Sequence, residues 1–132
     1  MMEHHGRGYT YSIQYHLVWC TKQRQDLLHN DIENTLKQSL LKIASDNTFT
    51  ILEMHLSGDH VHLLIDCSPQ HVLSSLIKAL KGASSRIVFK NHPELRDVLT
   101  DGSLWNTTYY VGTDSDTTDA QIHRYINDLK KE

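Results

Sequence analysis

Alternation of hydrophobic and polar residues predicts the strands of this protein. Between residues 9 and 20 the odd positions from Tyr11 to Trp19 are hydrophobic and polar side chains occupy most positions between them, which is typical of a strand with one buried face. Shorter stretches predict three more strands, over about 48–56, 60–66 and 104–111. The Ser-Gly-Asp sequence between the second and third of these four strands predicts a tight hairpin turn.

Hydrophobic residues at intervals of three and four predict three helices. The first begins where Asn30 is followed by Glu33, because this spacing resembles a helix-capping pair. The second covers about residues 70–90 and has one apolar face. The third is expected to begin at Thr117 or Thr118, either of which can cap it, and to continue to the C-terminus.

The predicted order of elements is strand, helix, strand, strand, helix, strand, helix. This order suits an α+β fold in which the helices pack on one face of an antiparallel sheet, the ferredoxin-like or RRM-like arrangement. Its two crossovers place the first and third strands in the centre of the sheet. The strand that begins at His60 would then be central, and its open face would be a broad platform for a nucleic acid or another substrate.

Length and composition indicate one globular domain. The chain has 132 residues, 39% of them hydrophobic, which is enough to bury one core. We expect a flexible leader over residues 1–8, which show no periodicity, and a single domain over 9–132. Because the sequence has neither a bilayer-spanning apolar stretch nor a signal-peptide core, we expect no membrane partner and a cytoplasmic location. Cys20 and Cys67 lack a redox or metal-binding spacing and are expected to be buried thiols.

Two histidines in the third strand are candidate metal ligands. His60 and His62 are separated only by Val61, so their rings project from the same face of the predicted strand. Two imidazoles held side by side form half of a site for a divalent metal ion. Strand alternation explains the same spacing without a ligand, so a metal site needs at least one more donor and a chemical purpose elsewhere in the chain.

Basic side chains on the second helix and in the loop after the first strand are candidate DNA contacts. The formal net charge is −3, so any contact with nucleic acid must depend on a local patch. A polar helix face of this kind is often only solvated, but it also fits a row of phosphate contacts. The candidates are Lys22, Arg24, Lys78, Lys81, Ser85, Arg86 and Lys90.

The last predicted helix carries Tyr125 at the edge of its apolar seam. Ile122 and Ile126 form the seam, and helical geometry places the tyrosine about 60° from Ile122. A core tyrosine whose hydroxyl reaches water would show the same pattern. Together with the histidine pair and the basic row, however, the tyrosine completes the parts needed for covalent attack on a metal-polarised phosphodiester.

Several segments resemble the single-tyrosine HUH transposases, which move the smallest bacterial insertion sequences. The motifs match this family in order and spacing, and the resemblance covers about residues 9–131. The matching segments are residues 15–20 (YHLVWC, the first strand), 59–64 (DHVHLL, the HUH motif), 81–86 (KGASSR, the KGxSSR segment), 104–105 (LW, the next strand) and 125–126 (YI, the nucleophile).

This resemblance implies a homodimeric enzyme with a ferredoxin-like fold that cuts and rejoins single-stranded DNA at the ends of a mobile element. In such an enzyme His60 and His62 would bind Mg²⁺ or Mn²⁺. Tyr125 would attack the scissile phosphate and leave a 5′-phosphotyrosine and a free 3′-hydroxyl. The resemblance also implies recognition of DNA hairpins near the element ends and a tyrosine helix that can complete the partner subunit's site.

Two positions depart from the family pattern. Where the family commonly has a metal-binding glutamine, four residues after the tyrosine, this chain has Leu129, which cannot coordinate. Asp128, an oxygen donor on the tyrosine's side of the helix, is our candidate third ligand, although a solvated acid at a helix end explains it equally well. The glycine-rich hinge before the helix is reduced to Gly112, which brings swinging of the helix into question.

The sequence leaves two other functions open. An HUH nickase of replication or conjugation would use the same residues, although such chains usually carry further domains. A non-catalytic ferredoxin-like nucleic-acid-binding module, such as a decayed transposase, would be consistent with Leu129, and aromatic residues such as Tyr11, Tyr15 and Trp19 could then stack on bases. We take an active DNA-cleaving transposase as the hypothesis.

Overall fold

The computed structural model describes residues 3–129, which form a main antiparallel sheet, three helices and a small N-terminal hairpin. The strands are β1 (His4–Gly6), β2 (Tyr9–Tyr11), β3 (Ile13–Cys20), β4 (Thr50–Ser57), β5 (His60–Cys67) and β6 (Tyr110–Thr113). The helices are α1 (Asn30–Asp46), α2 (Leu73–Asn91) and α3 (Asp119–Asp128). Within the described range, no helix has the length and apolar character needed to cross a bilayer.

The main sheet has the strand order β4-β5-β3-β6, and every neighbouring pair is antiparallel. This is the order expected for a ferredoxin-like sheet, and the α+β prediction is confirmed. The central strands β3 and β5 pair along their whole length, from Ile13 opposite Cys67 to Cys20 opposite His60. The histidine strand is therefore held on both sides by neighbouring strands.

The hydrophobic core lies between one face of this sheet and the helices α1 and α2. Alternate residues of β3 and β5 supply the sheet side, and each such side chain contributes about 1.5–3 kcal/mol when it is fully buried. Both cysteines are buried free thiols, as predicted. The fully buried sheet and helix residues include Leu17, Trp19, Val61, Leu63, Ile65, Leu36, Leu40 and Leu80.

Helix α3 packs on the opposite face of the sheet. Ile122 and Ile126 of this helix form a second, smaller cluster with Val18 and Cys20 of β3. The platform expected to be open is therefore partly covered by the helix that carries the tyrosine.

The prediction of a flexible leader over residues 1–8 is wrong for β1, because this strand pairs with β2 in a two-stranded sheet. His4 Nε2 lies 2.5 Å from Oδ2 of the buried Asp66, and its ring stacks on Tyr11 with 5.1 Å between the ring centroids. The chain thus turns back on itself at residues 7–8. The sequence has no periodicity here because the strand is only three residues long. Residues 1 and 2 lie outside the described range.

The predicted strand over 104–111 is only half correct. The ordered strand is β6, and Trp105 makes a single bridge to Thr21. The backbone carbonyls of Asn106 and Thr108 instead receive hydrogen bonds from Nζ of Lys81, at 2.8 and 3.2 Å. The backbone N–H of Asn106 still donates to the carbonyl of Cys20 at 2.9 Å, and regular pairing with β3 resumes only at β6.

The two predicted helix caps differ in outcome. At α1 the N-cap residue is His29 without a side-chain cap, and Asn30 has a φ of 53°, so the expected Asn30–Glu33 pair does not form. At α3, Thr118 accepts a hydrogen bond from the backbone of Gln121, and the Gln121 side chain bonds back to Thr118, which completes a capping box. The start of the tyrosine helix is therefore fixed by its own sequence.

Candidate active site

The two predicted metal ligands lie on the face of the sheet that α3 covers. His60 is directly opposite Cys20, and His62 is directly opposite Val18. Residues directly opposite in an antiparallel pair project to the same side. Since Val18 and Cys20 are the residues against which α3 packs, both histidines share a face with this helix.

Tyr125 is docked on the same face. Its ring packs against the cluster that Ile122 and Ile126 form with β3, and its ring centroid lies 5.9 Å from that of Tyr110. Its hydroxyl oxygen is 3.0 Å from Oγ1 of Thr108. Partial burial raises the pKa of the phenol, and nearby Cys20 adds to this effect, while the hydrogen bond with Thr108 opposes it. The docked phenol is therefore protonated at neutral pH.

A carboxylate orients the ring of His60. Nδ1 of His60 lies 2.8 Å from Oδ1 of Asp59. An ionised carboxylate can only accept, so Nδ1 carries the hydrogen and Nε2 keeps its lone pair. Burial alone would raise the pKa of Asp59, but the hydrogen bond and charge of His60, together with Arg24, hold this pKa below its ordinary value.

Arg24, which we predicted to contact DNA, forms an ion pair within the protein. Its Nη2 lies 3.2 Å from Oδ2 of Asp59, and only 14% of the Arg24 side chain is exposed. The guanidinium therefore supports the carboxylate that orients His60. Phosphate contact by Arg24 stays a prediction, without support from its position.

His62 is bound to a third imidazole of the same face. Its Nε2 lies 2.8 Å from Nδ1 of His16, and Nε2 of His16 lies 2.7 Å from Oδ1 of Asp114. Burial, followed by the nearby imidazoles of His16 and His55, lowers the pKa of His62 to about 4. The ring is consequently neutral at physiological pH, the form in which imidazole binds metals.

The structure does not bring Asp128 together with the histidines. Among residues 3–129, no group of three or more His, Cys, Asp or Glu side chains converges on a position that would hold a metal ion. Asp128 is exposed and lies two residues after the buried Ile126, about 200° around the helix. Asp128 lies about 60° beyond Tyr125 on the side away from the seam, so it projects away from the sheet on which Tyr125 is docked. The acidic residue that acts electrostatically on His62 is instead Asp119, which favours the charged form of His62.

The predicted basic row is divided between exposed and engaged side chains. Lys78, Arg86 and Lys90 project from α2 into solvent. Lys22 pairs with Asp101 at 3.3 Å, and Lys81 holds the carbonyls of the 106–109 loop while burial lowers its pKa. Ser85 is half-buried on α2. Of the predicted row, Lys78, Arg86 and Lys90 are therefore the exposed cations of α2, and their contact with DNA stays a prediction.

The KGxSSR-like segment of α2, residues 81–86, carries cations and also holds the loop over residues 105–108, which contacts Tyr125. Oγ of Ser84 accepts a hydrogen bond from Nε1 of the buried Trp105 at 3.1 Å. Lys81 holds the carbonyl of Thr108, whose hydroxyl in turn contacts Tyr125. Neither Ser84 nor Thr108 was a predicted site residue, because each acts through a partner distant in the sequence.

Gly112 lies where β6 leads toward α3. It is paired with His16, and its φ is outside the left-handed region. A β-carbon at this position would fall 2.3 Å from Oγ1 of Thr117 and 2.7 Å from the hydroxyl oxygen of Tyr110. A larger residue here would therefore require the side chains of Thr117 and Tyr110 to move.

Comparison with known proteins shows the family to which this chain belongs. A family model described as "Transposase IS200 like" matches residues 9–129. The ISDra2 transposase TnpA of Deinococcus radiodurans is 44% identical over 121 residues, which cover 92% of this chain and 86% of that protein. The transposase for insertion sequence element IS200 of Salmonella typhimurium is 28% identical over 116 residues, or 88% of this chain and 76% of that one.

Solved structures share the fold. A crystal structure described as that of a transposase from Deinococcus radiodurans superimposes with a TM-score of 0.92 at 41% identity, covering 98% of this chain and 99% of that one. A REP-associated tyrosine transposase bound to a REP hairpin gives a TM-score of 0.59 at 17% identity, over 96% of this chain and 72% of that one, a likeness of fold. The family match over residues 9–129 and the 44% identity to a transposase over most of both chains show that this chain belongs to the IS200-like transposase family and is a DNA transposase.

Proposed function

We propose that this transposase cleaves and rejoins single-stranded DNA at the ends of its insertion sequence through a metal-dependent 5′-phosphotyrosine intermediate. The observation that carries the proposal is the shared face: α3 docks Tyr125 on the side of the sheet from which His60 and His62 project. A nucleophile and two metal-binding groups are thereby presented to one substrate. Because the substrate is chromosomal DNA, we place the protein in the cytoplasm.

The residues present fit a divalent ion, Mg²⁺ or Mn²⁺. His60 has a lone pair on Nε2 because Asp59 accepts from Nδ1, and His62 is neutral. These two side chains would hold the ion, and the phosphate oxygens of DNA and water would complete its coordination. The bound ion would polarise the scissile phosphate. Asp128 stays a candidate further ligand, although its position on the outer side of α3 does not support this role.

The proposed cleavage step is a transesterification at phosphorus. The oxygen of Tyr125 bonds to the phosphorus as its phenolic proton leaves to solvent, and the bond from phosphorus to the 3′-oxygen breaks. The 3′-oxygen takes up a proton and leaves as a free hydroxyl. In rejoining, a 3′-hydroxyl attacks the phosphotyrosine and restores the phenol, so the bond energy is conserved and no other energy source is required.

The exposed cations of α2 would hold the DNA strand. Lys78, Arg86 and Lys90 lie on one helix, and such side chains neutralise phosphates without reading sequence. We extend the proposal to hairpins near the element ends, in keeping with the hairpin bound by the structurally similar REP-associated transposase. Lys22, Arg24, Lys81 and Ser85 stay secondary candidates for DNA contact.

We further propose that the enzyme works as a homodimer. The strand β6 is at an edge of the main sheet, and Tyr109 and Val111 beside and within it are 41% and 37% exposed. A second copy would cover this apolar edge. Sedimentation at micromolar protein concentration tests the proposal, and a mass of 15.2 kDa, that of one chain, would contradict it.

Trapping of the covalent intermediate tests the chemistry. The protein is incubated with Mn²⁺ and single-stranded DNA that carries the sequence flanking its own gene, and the products are separated on denaturing gels. Wild type should form a protein–DNA adduct, Tyr125→Phe should not, and the neighbouring Tyr110→Phe should retain it. Equal adduct from Tyr125→Phe would overturn the assignment of the nucleophile. No adduct from wild type despite DNA binding would favour the non-catalytic module.

A further inference from the structure

Behind His62 lies a chain of two side chains that no part of the proposed chemistry requires. The two side chains are His16 of β3 and Asp114. Nδ1 of His16 lies 2.8 Å from Nε2 of His62, and Nε2 of His16 lies 2.7 Å from Oδ1 of Asp114. The His16 side chain is only 13% exposed, so these partners largely define its environment. Asp114 begins the short 3₁₀ turn, Asp114–Asp116, that follows β6 and precedes α3.

The directions of these hydrogen bonds follow from the chemistry of the end group. An ionised Asp114 has no hydrogen to give, so it accepts from Nε2–H of His16. A neutral imidazole protonated on Nε2 has its lone pair on Nδ1, and this nitrogen can only accept. With His16 in its neutral form, the hydrogen between the two rings therefore belongs to Nε2 of His62. That leaves the lone pair of His62 on Nδ1.

We propose that His16, anchored by Asp114, is a positioning residue that fixes the ring and tautomer of His62 so that its Nδ1 is the nitrogen presented to the divalent ion. This inference rests on the proposed metal-dependent function. It gives each histidine of the pair a carboxylate behind it: Asp59 contacts His60 directly, whereas Asp114 acts on His62 through His16. Such outer partners commonly set metal affinity by factors of about 10–100.

The arrangement also couples the metal ligand to the tyrosine helix. The turn that contains Asp114 leads directly through Thr117 and Thr118 to the start of α3. Displacement of this turn would remove the acceptor of His16 and with it the constraint on His62. The tautomer of the ligand therefore depends on the docked position of the segment that precedes Tyr125.

Three variants and their controls test this inference. His16→Phe keeps a planar ring but lacks nitrogen, His16→Gln retains one donor and one acceptor, and Asp114→Ala removes the anchor. As controls, His55→Gln changes another imidazole beside His62, with ring centroids 5.5 Å apart, and Asp116→Ala changes a carboxylate of the same turn. Circular dichroism confirms that each variant is folded.

The first readout is Mn²⁺ affinity measured by calorimetry in the absence of DNA. We expect His16→Phe to lose about 10–100-fold, His16→Gln to recover part of the loss, Asp114→Ala to weaken binding in the same direction, and the controls to match wild type. Wild-type affinity in His16→Phe would overturn the inference alone. Absence of Mn²⁺ binding and of the DNA adduct in wild type would overturn the proposed function itself.

The second readout does not involve metal or activity. In ¹⁵N-labelled, metal-free wild type, NMR should find the hydrogen of His62 on Nε2, and in His16→Phe it should be distributed over both ring nitrogens. A hydrogen on Nδ1 of His62 in wild type would overturn the inference, even if a variant failed to fold.

Discussion

The hydroxyl group of Tyr125 lies 3.0 Å from Oγ1 of Thr108, in a loop whose carbonyls Lys81 holds from α2. The side chain of Tyr125 on α3 is thereby connected, through this loop, to the helix that carries the basic row. Because this hydrogen bond opposes the effect of burial on the phenol, it makes the phenolate easier to form.

Replacement of Thr108 by Val should raise the pKa of Tyr125 further above its ordinary value. The hydroxyl that stabilises the phenolate is lost while the burial of the ring remains. Titration of ¹³C-labelled tyrosine by NMR measures the change, and Thr107→Val, at the neighbouring exposed position, is the control. A decrease in the pKa would show that Thr108 does not stabilise the charged form.

Replacement of two adjacent serines of α2 should have different effects, on stability for Ser84 and on DNA binding for Ser85. Ser84→Ala leaves Nε1–H of the buried Trp105 without its acceptor, which should lower the free energy of unfolding by about 1–3 kcal/mol. Ser85→Ala should leave stability within about 0.5 kcal/mol and weaken DNA binding instead. Urea denaturation and DNA titration separate the two, and equal losses of stability would contradict the division.

Removal of the exposed cations of α2 should reduce the salt dependence of DNA binding. Each of Lys78→Ala, Arg86→Ala and Lys90→Ala should lower the slope of log affinity against log salt by about 0.7 for single-stranded DNA, if that side chain neutralises one phosphate. Lys37→Ala, on the exposed side of α1, is the matched control. An equal effect of the control would show that binding responds only to net charge.

Acid should destabilise the metal-free protein through His62. Its pKa is about 4 when folded, against an ordinary 6.5, so between these values the unfolded chain binds a proton that the folded one excludes. The contribution of His62 is fully present above pH 6.5 and is lost as the pH falls toward 4. Denaturation across this window, with NMR titration of the His62 ring, measures it. A ring that titrates near 6.5 would contradict burial as the cause.

The sheet and its histidine strand could be predicted because alternation reports directly which face of a strand is buried. Leu17 and Trp19 face the core as expected, and His60 and His62 share the opposite face. The missing half of the fourth strand was not predictable from alternation, since the carbonyls of Asn106 and Thr108 bond to Lys81, which is 25 or more residues away in the sequence.

The supports of the histidines were missed for a similar reason. His16 is on the same face as His62 because both occupy even positions of paired strands, but the register that brings their rings together is not visible in the sequence. Asp128 shows the converse: its spacing from Tyr125 was correct, yet the side of α3 that meets the sheet is decided by Ile122 and Ile126. Asp119, three residues before Ile122, lies on the seam's side and could have been preferred on this ground.

The close fit at Gly112 exposes the enzyme to loss of function by a single codon change. A larger residue would force the side chain of Thr117, next to the cap of the tyrosine helix, to move away from its present position. A variant in which this movement undocks Tyr125 would still bind DNA through α2 but would lose the proposed cleavage. A mobile element can in this way leave behind a resident protein that occupies the old ends without moving them.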